Sequence, residues 1–247
     1  MTNEELIIAK FKAVRNKGFI PSNRHHNTGI GKTFEDYMNV VENNLDAPDL
    51  LGYEIKSHRE KSQSYITLFT KSPSFPKQAN AFLKDNFGVP YKDNPSLKSL
   101  HTSMFANRYN TFFDKYSFKL INDRNSKTLY IGVYSQNNKE LIDRQCGYYY
   151  SDLEIIFRKK IKKLFYVTAD THEINGKEYF HYTNADIYEN PSFERFLKLI
   201  DEGQIMYDIR IGSYQSGDKY GKAHDHGSGF RILEPNLTNL FDNHIQI

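Results

Sequence analysis

The residues whose types and spacing could do chemistry are Pro48-Asp49 and, after four intervening residues, Glu54-Ile55-Lys56. Hydrolysis of a phosphodiester requires that charge building on the phosphorus be stabilised and that a water lose its proton. A hard divalent cation held by carboxylate oxygens, magnesium above all, supplies both. On an extended strand Glu54 and Lys56 point to the same face. Asp49, just before the turn into that strand, can reach the same cation. Lys56 is then placed to hold and polarise the attacking water, a role that typically contributes about two to four orders of magnitude in rate. The bland alternative is a solvated strand face, since Glu-x-Lys arises often by chance in a chain that is 26% charged.

The elements that must position these residues can be read from periodicity. Residues 4–16 predict an amphipathic helix with Leu6, Ile7, Phe11 and Val14 on one side. A polar loop from Pro21 to Lys32 follows, holding Arg24, His25, His26 and Lys32. Thr33 and Asp36 have capping-box spacing and predict the start of a second helix that carries Phe34, Met38 and Val41 inward. After Gly52 the period becomes two, predicting strands over 53–58 and 64–70. Residues 77–115 predict short helices and loops. Strands are expected near 116–122, 127–135 and 139–144. A basic helix over 151–163 should use Leu153, Ile156, Phe157, Ile161 and Leu164. Asn175-Gly176 is a strong two-residue hairpin signal. A helix near 192–201, a strand from Ile205 to Ile211 and a closing strand at Phe230-Leu233 complete a mixed α/β chain.

Composition bounds the classes. The 247 residues suffice for one large domain or two lobes. With 38% hydrophobic residues the chain should fold. A net charge of +3 permits a nucleic-acid partner without requiring one. The single cysteine, Cys146, excludes a disulfide framework and a cysteine-based zinc site, and reads as a packed thiol. The acidic start, Met1-Thr2-Asn3-Glu4-Glu5, is unlike a signal peptide, and no apolar run approaches a membrane span. A cytoplasmic protein with no membrane partner is the expectation. Gly29-Ile30-Gly31-Lys32-Thr33 ends like a P-loop, but His26 stands where that loop needs its first glycine, so nucleotide binding is rejected.

Three blocks, in order over nearly the whole chain, resemble the MvaI/BcnI group of restriction endonucleases, relatives of the mismatch-repair nuclease MutH. The first is Asn27-Thr28-Gly29-Ile30-Gly31-Lys32-Thr33-Phe34-Glu35-Asp36. The second runs from Asn44-Leu45-Asp46-Ala47-Pro48-Asp49 to Glu54-Ile55-Lys56-Ser57-His58 and Leu68-Phe69-Thr70-Lys71-Ser72-Pro73. The third is Asp208-Ile209-Arg210-Ile211-Gly212-Ser213-Tyr214, Gly221-Lys222-Ala223-His224-Asp225-His226-Gly227 and Phe230-Arg231-Ile232. Glu54 puts the chain on the MvaI-like side, because the BcnI-like side resembles a histidine there.

The resemblance implies a MutH-like restriction-endonuclease fold of two lobes forming a DNA-binding cleft. The expected lobes are a catalytic one over 1–110 and a recognition one over 111–247. It implies Asp49, Glu54 and Lys56 as the catalytic set, with Asp49 and Glu54 on Mg2+ and Glu35 in support. It implies double-stranded DNA as substrate, a CC-N-GG site (CCWGG on the MvaI-like side), action as a monomer by sequential nicking, and a cognate methyltransferase protecting the host.

The third block makes chemical sense as a base reader. Guanine shows two acceptors in the major groove, suited to Arg or a His donor, and cytosine shows an amino donor, suited to Asp. Asp208, Arg210, His224, Asp225, His226 and Arg231 supply that vocabulary. An Asp208–Arg210 surface ion pair or a His-x-His metal site are the alternatives. Arg24, His25, Lys32, Lys71, Lys219 and Lys222 are candidates for DNA backbone contacts, or plain solvated loops. Gln215 stands where the MvaI-like pattern has histidine, which opens the central-base preference. A MutH-like nicking repair enzyme and a non-catalytic DNA-binding protein stay open beside the restriction endonuclease.

Overall fold

A computed structural model of the chain describes residues 1–26, 28–40, 49–60 and 64–247. From the N-terminus the elements are helix α1 (Asn3–Arg15), strand β1 (Ile20–Pro21), helix α2 (Gly29–Tyr37), strands β2 (Glu54–Arg59) and β3 (Ile66–Thr70), and helix α3 (Ala79–Phe87). Strands β4 (Val89–Pro90), β5 (Lys98–Met104), β6 (Asn110–Phe112), β7 (Tyr116–Asp123), β8 (Thr128–Ser135) and β9 (Leu141–Tyr149) follow. Then come helix α4 (Tyr150–Lys160), strands β10 (Lys163–Ile174) and β11 (Lys177–Pro191), and helix α5 (Phe193–Asp201). Strands β12 (Ile205–Ser213), β13 (Ala223–Asp225), β14 (Gly229–Ile232) and β15 (Phe241–Gln246) complete the chain. The class is mixed α/β, as the periodicity predicts.

The chain divides into two compact units: Met1–Ser64 with Phe157–Ser192 and Leu237–Ile247, and Tyr65–Ile156 with Phe193–Asn236. A single boundary near residue 110 therefore does not separate them. The reason is topological: β2 pairs in parallel with β10, a strand from the second half of the chain. Parallel pairing needs a long crossover, and here the crossover folds into the other unit.

In the first unit the sheet order is β1-β11-β10-β2, with β15 also on β11. Helix α1 begins with a reciprocal cap: Glu5 N donates to Thr2 Oγ1, and Thr2 N donates to Glu5 Oε2. Its apolar stripe, Ile7, Phe11 and Val14, shares one core with Ile30 and Phe34 of α2 and with Ile55, Phe165, Val167, Phe180 and Tyr182 of the sheet. The hairpin predicted at Asn175-Gly176 joins β10 to β11. Both residues have positive φ, 52° and 74°, as a twist-matched two-residue turn requires.

The predicted capping box at Thr33 is wrong. Helix α2 starts at Gly29, and Thr33 lies inside it, its Oγ1 accepting from Asn23 N at 2.9 Å. Asp36 instead pairs with Lys32 Nζ at 2.7 Å. Val41 and Asn27 lie outside the described residues, as do Asn44-Leu45-Asp46-Ala47-Pro48. The basic helix also ends earlier than predicted. Leu164 belongs to β10, where it pairs with Glu54.

In the second unit the sheets run β3-β14-β12-β5-β4, with β13 on β12, and β6-β7-β8-β9. Around Phe230 the rings of Phe69, Tyr148, Phe196 and Tyr207 sit with centroids 5.2–5.4 Å away. These aromatic edges and faces do the work that Trp would otherwise do. Cys146 is fully buried, and burial pushes its thiol up to about 12. Among the described residues no helix is long and apolar enough to cross a membrane.

Candidate active site and nucleic-acid interface

In the first unit, Leu50 and Tyr53 exchange both backbone hydrogen bonds across Leu51 and Gly52. Leu51 and Gly52 have φ of 53° and 89°, the left-handed region where glycine is at ease. This tight reversal lays Asp49 alongside β2. Ile55 N donates to Asp49 Oδ2 at 2.7 Å, so the predicted carboxylate is tied to the predicted strand.

Strand β2 then alternates as expected. Ile55 enters the core, while Glu54 and Lys56 share the other face. Lys56 Nζ donates to Glu54 Oε1 at 2.6 Å. Glu54 is 8% exposed, and its second oxygen, Oε2, is buried without a hydrogen-bond partner among the described residues. A buried unpaired acceptor on a carboxylate is costly. A cation would satisfy it. No cluster of three His, Cys, Asp or Glu side chains occurs among the described residues. A donor set of one or two carboxylates suits magnesium, which keeps waters and takes substrate phosphate oxygens for its remaining positions. The residues present therefore fit that ion, and the metal ligands would be Asp49 and Glu54.

Glu35 is half-buried on α2, which packs against β2, and its charge acts on the Tyr182 hydroxyl. His58, not singled out by the sequence pattern, shares the face of Glu54 and Lys56, with Nε2 3.1 Å from Ser64 Oγ. Arg24, His25 and His26 line a polar cleft of about 460 Å³ with the hairpin residues Asn175 to Glu178. Lys32 shares its charge with Asp36, and that hydrogen bond holds the Asp36 carboxyl below its usual range.

In the second unit, β12 buries Tyr207, Ile209 and Ile211 and turns Asp208 and Arg210 to the opposite face. The ion pair weighed as the alternative is present, but its carboxylate is buried and serves a second guanidinium as well. Asp208 is 6% exposed, and its Oδ2 lies 2.6 Å from Arg210 Nε and 2.9 Å from Arg231 Nε. Ser103 Oγ donates to its Oδ1 at 3.3 Å. Arg231 is further fixed by Thr67 Oγ1 at 2.6 Å and the Gly227 carbonyl at 3.1 Å. Burial lowers the Arg231 pKa, and the Asp208 charge opposes that.

Asp225 is held in place by three hydrogen bonds. Its Oδ1 accepts from Gly227 N and Ser228 N, and its Oδ2 accepts from Asn80 at 2.9 Å. His224 stacks on Tyr214, centroids 4.3 Å apart, and lies 4.1 Å from the His226 ring. Lys219 sits 5.4 Å over the Tyr214 ring. Lys222 is exposed in the same loop. Lys71 follows β3 and is anchored through its backbone to Ser228 and Tyr148. The six predicted readers therefore gather on one unit, and the predicted catalytic set on the other.

Comparison with known proteins shows the family. The model of the MvaI/BcnI restriction endonuclease family matches residues 8–241. A solved structure described as the restriction endonuclease MvaI in complex with cognate DNA substrate is 34% identical, with a TM-score of 0.88 over 100% of this chain and 99% of that one. Restriction endonuclease MvaI in the absence of DNA is 33% identical, with a TM-score of 0.68 over 100% and 98%. No curated protein matches the chain.

Proposed function

The chain belongs to the MvaI/BcnI restriction endonuclease family and is a site-specific DNA nuclease of the type II class; from that premise we propose that it cuts CC-N-GG sites, CCWGG first among them, with magnesium. The observation that carries the chemistry is the Glu54 carboxylate: one oxygen grips Lys56, and the other is buried with no hydrogen-bond partner among the described residues.

When bound, magnesium would neutralise phosphate charge and make water more acidic. Asp49 and Glu54 would hold it. Asp49 is positioned by the Ile55 amide, so the ligand that comes from outside the strand is still fixed to it. Lys56, oriented by Glu54, holds the attacking water and steadies the charge that develops on the phosphate. Glu35 supports the site from α2. Arg24, His25, Lys32, Lys71, Lys219 and Lys222 contact backbone phosphates.

The first unit thus cuts and the second reads. Arg210 and Arg231, both braced by Asp208, present guanidinium donors suited to guanine, and His224, Asp225 and His226 complete the reader. One Glu-x-Lys site per chain requires either a dimer or two successive visits for a double-strand cut; the family resemblance favours a monomer that nicks each strand in turn. A methyltransferase of matching specificity protects the host. Gln215, in place of a histidine, makes the central pair the position most open to change.

The test is digestion of defined plasmids with magnesium, followed by mapping of the ends. Linear product with ends at CCWGG supports the whole reading. Ends at CCSGG or CCNGG keep the chemistry and assign the change to Gln215 or its neighbours. Nicked circles that never become linear would favour a MutH-like repair nuclease instead.

A further inference from the structure

The sheet β3-β14-β12-β5 in the second unit carries a continuous polar face opposite its aromatic core. Thr67, Arg231, Asp208 and Arg210 lie on it, linked by the contacts described above. The antiparallel register of β12 and β5 sets Ser103 across from Asp208 and His101 across from Arg210. Directly opposed residues have Cβ atoms roughly 4.5–5.5 Å apart. Leu100 is fully buried, while its neighbour His101 is exposed, so the imidazole stands on the polar face beside Arg210.

A second neighbour converges on it. The His101 and His226 rings meet edge to face, centroids 6.0 Å apart at 77°. His226 is itself firmly seated. Its backbone N donates to the Arg210 carbonyl at 2.8 Å. Its ring occupies space that only glycine at 212 leaves open, since a Cβ there would come within 2.9 Å of His226 Nε2. Arg210, His226 and His101 therefore meet at one place, from β12, from the segment after β13, and from β5.

We propose that His101 is a further specificity-determining residue, contacting a base edge in the major groove beside the position taken by Arg210. The proposal rests on the reading of this face as the DNA reader. Base rather than phosphate follows from place: the ring stands on the polar face against Arg210 and His226, two residues of the base reader. Burial, His226 and Arg210 also lower the His101 pKa from 6.5, against Asp208, which favours the neutral ring. It offers one donor and one acceptor, the pattern that base edges discriminate.

The test compares wild type, His101→Ala and His101→Gln on duplexes bearing the cleaved site and on duplexes with one base pair of it changed. Melting temperatures establish that each variant is folded. The expected result is a loss of about tenfold in kcat/KM at the cleaved site for His101→Ala. At duplexes changed in one particular pair the loss should be under about twofold, with the salt dependence of binding unaltered. Discrimination at that pair then collapses, and His101→Gln falls between. Equal losses on every duplex, or none on any, would overturn the assignment while leaving the nuclease reading intact. A wild-type chain that cuts no duplex with magnesium would overturn the nuclease reading and this inference with it.

Discussion

Replacing Asp208 with Asn tests how the polar face of the second unit is held together. The substitution keeps the shape and removes the charge that two guanidiniums share. Arg231 is the more dependent partner, because its side chain is only 13% exposed. Breaking a buried ion pair by neutralising one member typically costs about 3–5 kcal/mol, because the other charge stays buried. Residual bonds from Arg231 to Thr67 and Gly227 place the cost at the low end, about 3 kcal/mol. Arg210 is half-exposed, so its share is under about 1 kcal/mol. For a chain of this size the melting temperature should fall by about 6–12 °C. Thermal and urea unfolding read this directly. The double substitution Asp208→Asn with Arg231→Met should recover most of the loss, since no unpaired guanidinium then remains. A fall in stability under about 0.5 kcal/mol, or no recovery in the double variant, would refute the argument that Asp208 is a buried counter-charge.

Other consequences can be checked separately. Gly212→Ala brings a Cβ within 2.7 Å of the Tyr91 hydroxyl and 2.9 Å of His226 Nε2, so it should cost about 1–3 kcal/mol and weaken cognate binding more than random-DNA binding, read by anisotropy. Cys146, fully buried with its thiol pushed up to about 12, should resist alkylation in the native state at pH 8 and react once urea unfolds the chain. His101 has a folded pKa below 6.5, depressed by burial and by His226 and Arg210 against Asp208. The unfolded chain therefore binds that proton more readily, and the stability His101 lends above about pH 6.5 is lost as pH falls through its lower folded value. His101→Gln should flatten the unfolding free energy over that window, and an unchanged slope would contradict it.

Much of this was legible in the sequence, and the exceptions have physical causes. The period of two at Glu54–Arg59 and the Asn175-Gly176 turn survive because one face of each strand is buried and the turn needs positive φ. Strand β5 escaped notice. Its buried positions, Leu100 and Met104, are four apart, with a polar Thr102 between them on the same side, while His101 and Ser103 belong to the polar face. For the same reason His101 could not be found from sequence: only the pairing with Arg210 brings it to the reader. Strand β15 was missed because all but Phe241 is exposed on β11's edge. The helix start was misplaced because glycines at 29 and 31 lower helix propensity. Gly29 is there for space, since a side chain would strike the Arg24 carbonyl. Asp49, Glu54 and Lys56 were legible as a spacing, but the unpaired Glu54 oxygen was not.

The most direct test of the central claim separates binding from cutting at Glu54. Single-turnover cleavage of a mapped site is measured with magnesium for wild type and for Glu54→Gln, and DNA affinity is measured for both. Cleavage by the variant should fall by at least about a hundredfold, with affinity changed by less than about threefold. Cleavage by Glu54→Gln at the wild-type rate would show that the carboxylate beside Lys56 is an ordinary strand-face acid, and the active site would have to lie elsewhere.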